Sequence, residues 1–364
     1  MADFWGNQIR LALFGESHGP AIGVTIDGIP AGLELDMEEI GFEMARRAPG
    51  KSRVATARRE PDLPEIVSGV KDGVTTGTAL TAVIRNTNQH SSDYGDAPDV
   101  LRPGHADYTG HVRYFGFEDH RGGGHFSGRL TAPIVFAGAI CKQYLRRFGI
   151  RFAAHVESIR DVKDERFDPM LKWSPELDAL RGQTIPTLNP DAGTRMEQAV
   201  VSARAAQESV GGVIECAVLG LPAGLGAPFF DSVESVFSHL MFSVPAVKGI
   251  EFGLGFENAS LLGSQCNDEM EYADGRIAIL SNRSGGVNGG ITNGNPVIFR
   301  AAIRPTASIA KPQHTVSLQS GENVLTGTGG RHDPCIVPRA VPVIEAMAAI
   351  GTAELWKERL TCRI

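Results

Sequence analysis

The sequence predicts one pseudo-symmetric α+β domain, and three observations lead there. Short phrases recur in the same order in both halves, strand-like and helix-like runs alternate around them, and the reactive residues gather in glycine-rich loops. At 364 residues and 42% hydrophobic composition, the chain can bury a large core without staples.

The repeat is read from GIPAGL at 28–33, which returns as GLPAGL at 220–225. Asp36 and Glu39 follow the first copy, and Asp231 and Glu234 follow the second. Each D-x-x-E pattern puts an aspartate at a helix N-cap with the glutamate reaching back. Proline and a basic residue then stop each helix, at Pro49 and Lys51 in one half and at Pro245 and Lys248 in the other. Further on, GVTTG at 73–77 matches GITNG at 290–294, each leading into an apolar stretch suited to a strand. Four landmarks in one order predict a duplicated strand–helix–strand unit, with halves at approximately 1–150 and 195–364.

The remaining elements follow from periodicity. Strands are expected at 21–27 and 212–219, just before the repeated turns, and the apolar run 132–148 ending at Gly149 predicts a buried helix. Two more helices are expected at 195–209 and 338–360. Segment 160–194, with Pro169, Pro175, Pro186 and Pro190, reads as a surface excursion rather than a linker, which leaves 1–364 as a single domain.

Composition narrows the function. A net charge of −7 argues against a nucleic-acid partner, since a phosphate-backbone binder usually carries a basic domain. Five cysteines without C-x-x-C spacing fit reduced thiols, and residues 1–20 lack the pattern of a signal peptide. No apolar run approaches the roughly 18 residues needed to span a bilayer. The expectation is a soluble cytoplasmic protein with no membrane partner.

Three loops carry the chemistry: GESHG at 15–19, the long stretch 102–129, and GRHDP at 330–334. Glycine paired repeatedly with Arg, His and Asp suggests backbone brought close to an anionic ligand. GESHG satisfies the G-x-S-x-G pattern of a serine nucleophile elbow. However, Pro20, Gly23 and the β-branched run from Val24 to Ile26 follow Ser17 where that motif needs a helix. The better reading makes His18 the working group, an acid in a strand-to-strand loop. His105, His111, His120 and His125 with Asp107 and Asp119 raise the question of a metal. Their spacing fits no zinc motif, and His111 and His120 read as surface residues. Arg46, Arg47, Arg53, Arg58 and Arg59 could form a solvated face. With Arg102, Arg129 and Arg331 in the glycine loops, a small substrate of several negative charges explains them together.

These phrases resemble those of the chorismate synthase family. The resemblance rests on GESHG, GVTIDGIPAGL, RREPD at 58–62, RPGHADYT at 102–109, RGGG at 121–124, PAVKG at 245–249 and GRHDPC at 330–335, in order along nearly the whole chain. It implies a single-domain β-α-β sandwich with antiparallel sheets flanking helices, and a lyase. Its reaction is the 1,4-anti elimination of phosphate from 5-enolpyruvylshikimate 3-phosphate, giving chorismate on the route to aromatic amino acids. It also implies reduced FMN without net redox change, NADPH as the flavin's reductant in some members, and a homotetramer.

Carried over by position, His18 resembles the acid that protonates the departing phosphate, and His105 the one that protonates reduced flavin. Asp333 resembles the aspartate that assists hydrogen removal. Arg47, Arg53, Arg102 and Arg129 would bind substrate. The cofactor shell would comprise His125, Phe126, Ser127, Pro245, Ala246, Gly289, Arg304, Pro305, Thr306, Ala307, Ser308 and Arg331. Where the family reads GGGRSSARETA, this chain has GGGHFSGRLTA at 122–132, so His125 and Phe126 replace an arginine and a serine. The family's KPTSS is Arg304 to Ser308 here, and its asparagine before Ala-Val-Lys-Gly is Pro245. A lost charged phosphate contact predicts FMN binding weaker by about 1.5–3 kcal/mol unless His125 or Arg304 compensates. The alternative is a non-catalytic or flavin-altered paralogue that binds a phosphorylated shikimate-like ligand.

Overall fold

The computed structural model describes residues 3–50, 62–87, 99–328 and 333–362. Its first half runs through strands β1 (Phe4–Trp5), β2 (Arg10–Gly15) and β3 (Ala21–Asp27), helix α1 (Met37–Arg47), strand β4 (Pro64–Ser68), the hairpin β5 (Val70–Lys71) and β6 (Val74–Thr75), and strand β7 (Leu80–Arg85). Helices α2 (Asp107–Tyr114) and α3 (Thr131–Arg146) follow. The second half runs through β8 (Arg151–Ile159), β9 (Val162–Lys163), α4 (Pro175–Leu180), α5 (Pro190–Ala205), β10 (Gly212–Leu219), α6 (Val233–Phe242) and β11 (Val247–Phe252). After these come α7 (Gly263–Cys266), the hairpins β12 (Met270–Ala273) with β13 (Arg276–Ile279) and β14 (Val287–Asn288) with β15 (Ile291–Thr292), β16 (Val297–Ile303), the hairpin β17 (Gln313–Val316) with β18 (Asn323–Thr326), and α8 (Val337–Thr361).

Two five-stranded antiparallel sheets result, ordered β1-β2-β3-β7-β4 and β11-β16-β10-β8-β9. Read from the opposite edge, the second sheet has the order of the first, and α1 joins β3 to β4 as α6 joins β10 to β11. The repeated phrases make matching contacts. Thr75 Oγ1 accepts from Leu33 N at 3.0 Å and donates to Pro30 O at 2.7 Å. Thr292 Oγ1 accepts from Leu225 N at 2.9 Å and donates to Pro222 O at 2.8 Å. One threonine hydroxyl thus ties each Pro-Ala-Gly-Leu turn to its distant glycine hairpin.

The core sits between the sheets. Every residue of α3 from Thr131 to Leu145 is buried, as is α8 from Ala340 to Leu355, and where the two helices bury charge they pair it, Lys142 Nζ donating to Glu345. Helix α3 packs on β3 and β7, α8 packs on β8 and β10, and the two helices pack on each other. Gly138 permits that approach, since a β-carbon there would lie 2.3 Å from Ala346 Cβ. Strand β10 is covered on both faces: Ile214, Cys216 and Val218 join the main core, while Ala217 and Leu219 pack with Phe167, Leu177 and Leu180 of the 160–194 excursion. On that outer face, His155 sits with Nδ1 3.1 Å from Asp164 and Nε2 3.0 Å from Glu215.

Several element boundaries differ from expectation, three of them for identifiable reasons. Asp36 caps α1, accepting from Glu39 N at 2.9 Å, but the cap of α6 is Ser232, which accepts from Ser235 N at 3.0 Å. Asp231 is instead held in the preceding turn, its carbonyl accepting from Ala227 N. Helix α5 begins at Pro190 rather than 195, because Asn189 caps it and proline fits the first turn, where no N–H is needed. Helix α3 ends at Arg146 rather than 148, and the chain turns at Gly149 with φ of 79°.

Candidate active site

The site is built on three consecutive glycines. Gly122, Gly123 and Gly124 all have positive φ, at 61°, 88° and 51°, conformations that side-chain-bearing residues resist. The absent β-carbons are occupied space: one at Gly122 would lie 2.0 Å from the His18 ring, and one at Gly123 would lie 3.3 Å from His105 Nε2. At Gly124 it would lie 1.7 Å from the Asp119 carbonyl oxygen. The shelf therefore brings His18 and His105, 87 positions apart in the sequence, against adjacent residues.

His18 is held by its own loop, which joins β2 to β3. Ser17 N donates to Gly124 O at 3.0 Å, and Asn86 Nδ2 donates to Glu16 O at 3.0 Å and Gly19 O at 2.8 Å. His18 is buried, and Ser17 is fully so. No helix follows Ser17, and its Oγ has no hydrogen-bond partner among the described residues, so nothing there activates a serine nucleophile.

His105 is oriented by Asp107. Its Nδ1 lies 2.6 Å from Asp107 Oδ1, so an Nδ1–H donates to the carboxylate and Nε2 faces the Gly123 side. Arg102 grips the same carboxylate through Nε at 2.8 Å and Nη2 at 2.7 Å. Burial opposes the charge on Asp107, but the hydrogen bonds from Arg102 and His105 outweigh it and hold the carboxyl well below the usual range.

Arg47 and Arg129 meet across a residue that sequence reading did not single out. Asp62, 1% exposed, receives Arg47 Nη1 on one oxygen at 2.6 Å and Arg129 Nη1 on the other. Burial again opposes its charge, and the two guanidinium groups hold its carboxyl below the usual range. Arg47 also donates to Thr131 Oγ1 at 3.0 Å and Gly128 O at 2.8 Å, while Arg129 Nε donates to Asn86 Oδ1 at 3.1 Å. Asp62 thus holds two guanidinium groups in place beside the His18 loop. Asp333 joins through Arg339, which binds its carboxylate and donates to Arg47 O at 3.1 Å.

The expected cofactor residues divide. Ser127 caps the turn leading to Arg129, accepting from Arg129 N at 3.2 Å. Arg304 N donates to Ala246 O at 2.9 Å, and its Nη1 donates to Gly104 O at 2.7 Å, which puts Pro245, Ala246 and the 304–308 segment beside the His105 turn. Ala246 has φ of 75°, Ser308 is buried, and Thr306 O accepts from Ser209 Oγ at 2.7 Å. Gly289 follows the two-residue strand β14. Its neighbour Gly290 accepts from Val233 N at the start of α6, the helix whose other end leads to Ala246. His125 and Phe126 turn toward protein: Phe126 packs on Gly110 and on Tyr114 at 6.0 Å between ring centroids. Arg53, Arg331 and the first residues of GRHDP lie outside the described residues. Of the histidines set aside, His111 pairs with Glu118 at 3.4 Å near the surface.

Comparison with known proteins gives the family. The family model described as chorismate synthase matches residues 9–356. A chorismate synthase of Thermococcus gammatolerans is 45% identical over 349 residues, covering 96% of each chain. One from Korarchaeum cryptofilum is 43% identical, covering 97% of this chain and 96% of its own. A solved structure, "Crystal Structure of Chorismate Synthase", superposes with a TM-score of 0.76 at 29% identity, over 98% of this chain and 94% of that one. With the phrases in order, the shared fold and relatives matched from end to end, the chain belongs to the chorismate synthase family, lyases that form chorismate from 5-enolpyruvylshikimate 3-phosphate.

Proposed function

We propose that this chain performs the elimination with reduced FMN, His18 and His105 acting as the two proton carriers and Arg47, Arg53, Arg102 and Arg129 binding the substrate's anionic groups. The observation that carries the reading is the glycine shelf, which sets both imidazoles against one backbone stretch. A weakly acidic ring C–H and leaving groups on opposite faces make a concerted route poor. Reduced FMN, when bound, supplies transient electron density that is recovered as hydrogen leaves. The chain's own residues do the rest. His18 holds a proton for the departing phosphate oxygen, Asp107 fixes the His105 tautomer so that Nε2 faces the site, and Asp62 orients the Arg47 and Arg129 guanidinium groups. Asp333, oriented by Arg339, assists hydrogen removal.

The residues present fit a flavin phosphate and ring. Ser17 Oγ and Thr306 Oγ1 are buried hydroxyl oxygens with no partner among the described residues, and both lie in segments assigned to the site. Ser127, Ala246 and Arg304 to Ser308 would hold the cofactor together with Arg331.

The matched sheet orders and threonine ties support a pseudo-twofold duplication within a single-domain β-α-β sandwich. Phe229, Phe230 and Phe256, each at least 85% exposed, supply apolar surface that a homotetramer would cover. The test is His18→Ala under anaerobic conditions with dithionite-reduced FMN. We expect turnover to be lost and the circular dichroism spectrum kept, and near-normal turnover would remove His18 from the chemistry. Replacing dithionite with NADPH in the same assay shows whether the chain reduces its own flavin.

A further inference from the structure

We infer that His125 is a positioning residue for His18 rather than a ligand of the cofactor. Both of its ring nitrogens are engaged by protein: Nδ1 lies 2.8 Å from Gly15 O and Nε2 lies 2.9 Å from Asp3 Oδ1. Both partners are acceptors, so a hydrogen on either ring nitrogen meets an oxygen of the protein. The placement matters because Gly15 opens the loop that carries His18. Two successive residues, Gly124 and His125, grip that loop on either side of Glu16, the first through its carbonyl to Ser17 N and the second through its ring to Gly15 O. Asn86 grips the same loop from β7's end at Glu16 O and Gly19 O.

Asp3 anchors the other side of the ring. Its carbonyl accepts from Leu13 N at 3.0 Å, so it is fixed to β2, the strand that runs into Gly15. His125 thus closes a short circuit from the glycine shelf to Gly15 and, through Asp3, to β2. The shelf is where Gly122 meets the His18 ring, so a change in the spacing between shelf and loop is a change in the position of His18. Both hydrogen-bonding atoms of the His125 side chain thus point at the protein's own backbone and carboxylate.

The inference rests on the role given to His18 above, and the experiment separates the two. Wild-type protein is assayed first with 5-enolpyruvylshikimate 3-phosphate and reduced FMN, where absence of product refutes the reading of the site rather than the role of His125. With wild type active, His125→Ala is expected to lower kcat about ten- to a hundredfold, the scale of a misplacement near 1 Å, with KM and the FMN dissociation constant within about twofold. Asp3→Asn is expected to lower kcat less, and the double variant to match His125→Ala alone, because Asp3 acts through the ring. Unchanged kcat at saturating FMN with at least tenfold weaker FMN binding would show a cofactor ligand and overturn the inference. So would effects of Asp3→Asn and His125→Ala that multiply. Should His125→Ala fail to fold, Asp3→Ala and His125→Phe carry the test, and wild-type kcat in both overturns it.

Discussion

Substituting alanine for Gly122 tests the shelf directly. The new β-carbon would start 2.0 Å from Cε1 and Nδ1 of His18, whereas ordinary contact begins at 3.4 Å, so the ring must retreat by about 1.4 Å or the backbone must move. Displacement of a reacting group by about 1 Å can cost about a hundredfold in rate. The left-handed φ of 61° adds about 1–2 kcal/mol of strain, a loss the fold can bear. Gly122→Ala should therefore lower kcat about a hundredfold while leaving a cooperative unfolding transition. Gly123→Ala is the control, because its β-carbon would start 3.3 Å from His105, almost at ordinary contact, and should cost mainly the same strain. Gly124→Ala would press on the Asp119 carbonyl at 1.7 Å, which cannot yield as a side chain does, and should disrupt the loop. Single-turnover and steady-state rates with reduced FMN, beside urea unfolding, read all three. Gly122→Ala turning over within threefold of wild type would refute the shelf as the device that places His18.

Two further predictions concern buried charge. Asp62→Asn removes the carboxylate shared by Arg47 and Arg129 and should destabilise the protein by about 3–5 kcal/mol in urea unfolding, the usual consequence of orphaning a buried charge; a loss below about 1 kcal/mol would contradict its role as their counter-ion. His155 has its pKa raised from 6.5, because its hydrogen bonds to Asp164 and Glu215 outweigh the burial that would lower it. A group raised on folding contributes stability that is full below its unfolded pKa and is lost as pH rises through the folded one. Wild-type stability should thus fall as pH climbs above about 6.5, and His155→Gln should flatten that decline; equal slopes would remove His155 from the anchoring of the 160–194 excursion.

Much of the architecture was legible because it rests on local patterns. The strands at 21–27 and 212–219 coincide with the observed ones, since alternating and continuous apolar runs between turn residues leave little choice. The two matching turns were legible because Pro30, Leu33 and Thr75, like Pro222, Leu225 and Thr292, use the same residue types to make the same bonds. Asp62 was hidden for the opposite reason. Beside Arg58 and Arg59 it looks like one charge in a polar run, and only tertiary packing sets it between Arg47 and Arg129. Asn86 ends a strand and carries no local signal, yet it holds the loop of His18 and bonds Arg129 as well. Capping choices such as Ser232 over Asp231 depend on which residue the preceding turn has already engaged.

The reaction itself remains the most direct test. Under anaerobic conditions, the chain is mixed with 5-enolpyruvylshikimate 3-phosphate and chemically reduced FMN, and chorismate and inorganic phosphate are followed together. One phosphate should be released for each chorismate formed, over many turnovers per flavin. Substrate that binds by calorimetry without yielding either product would contradict it, and would mark the chain as a binding paralogue of its family.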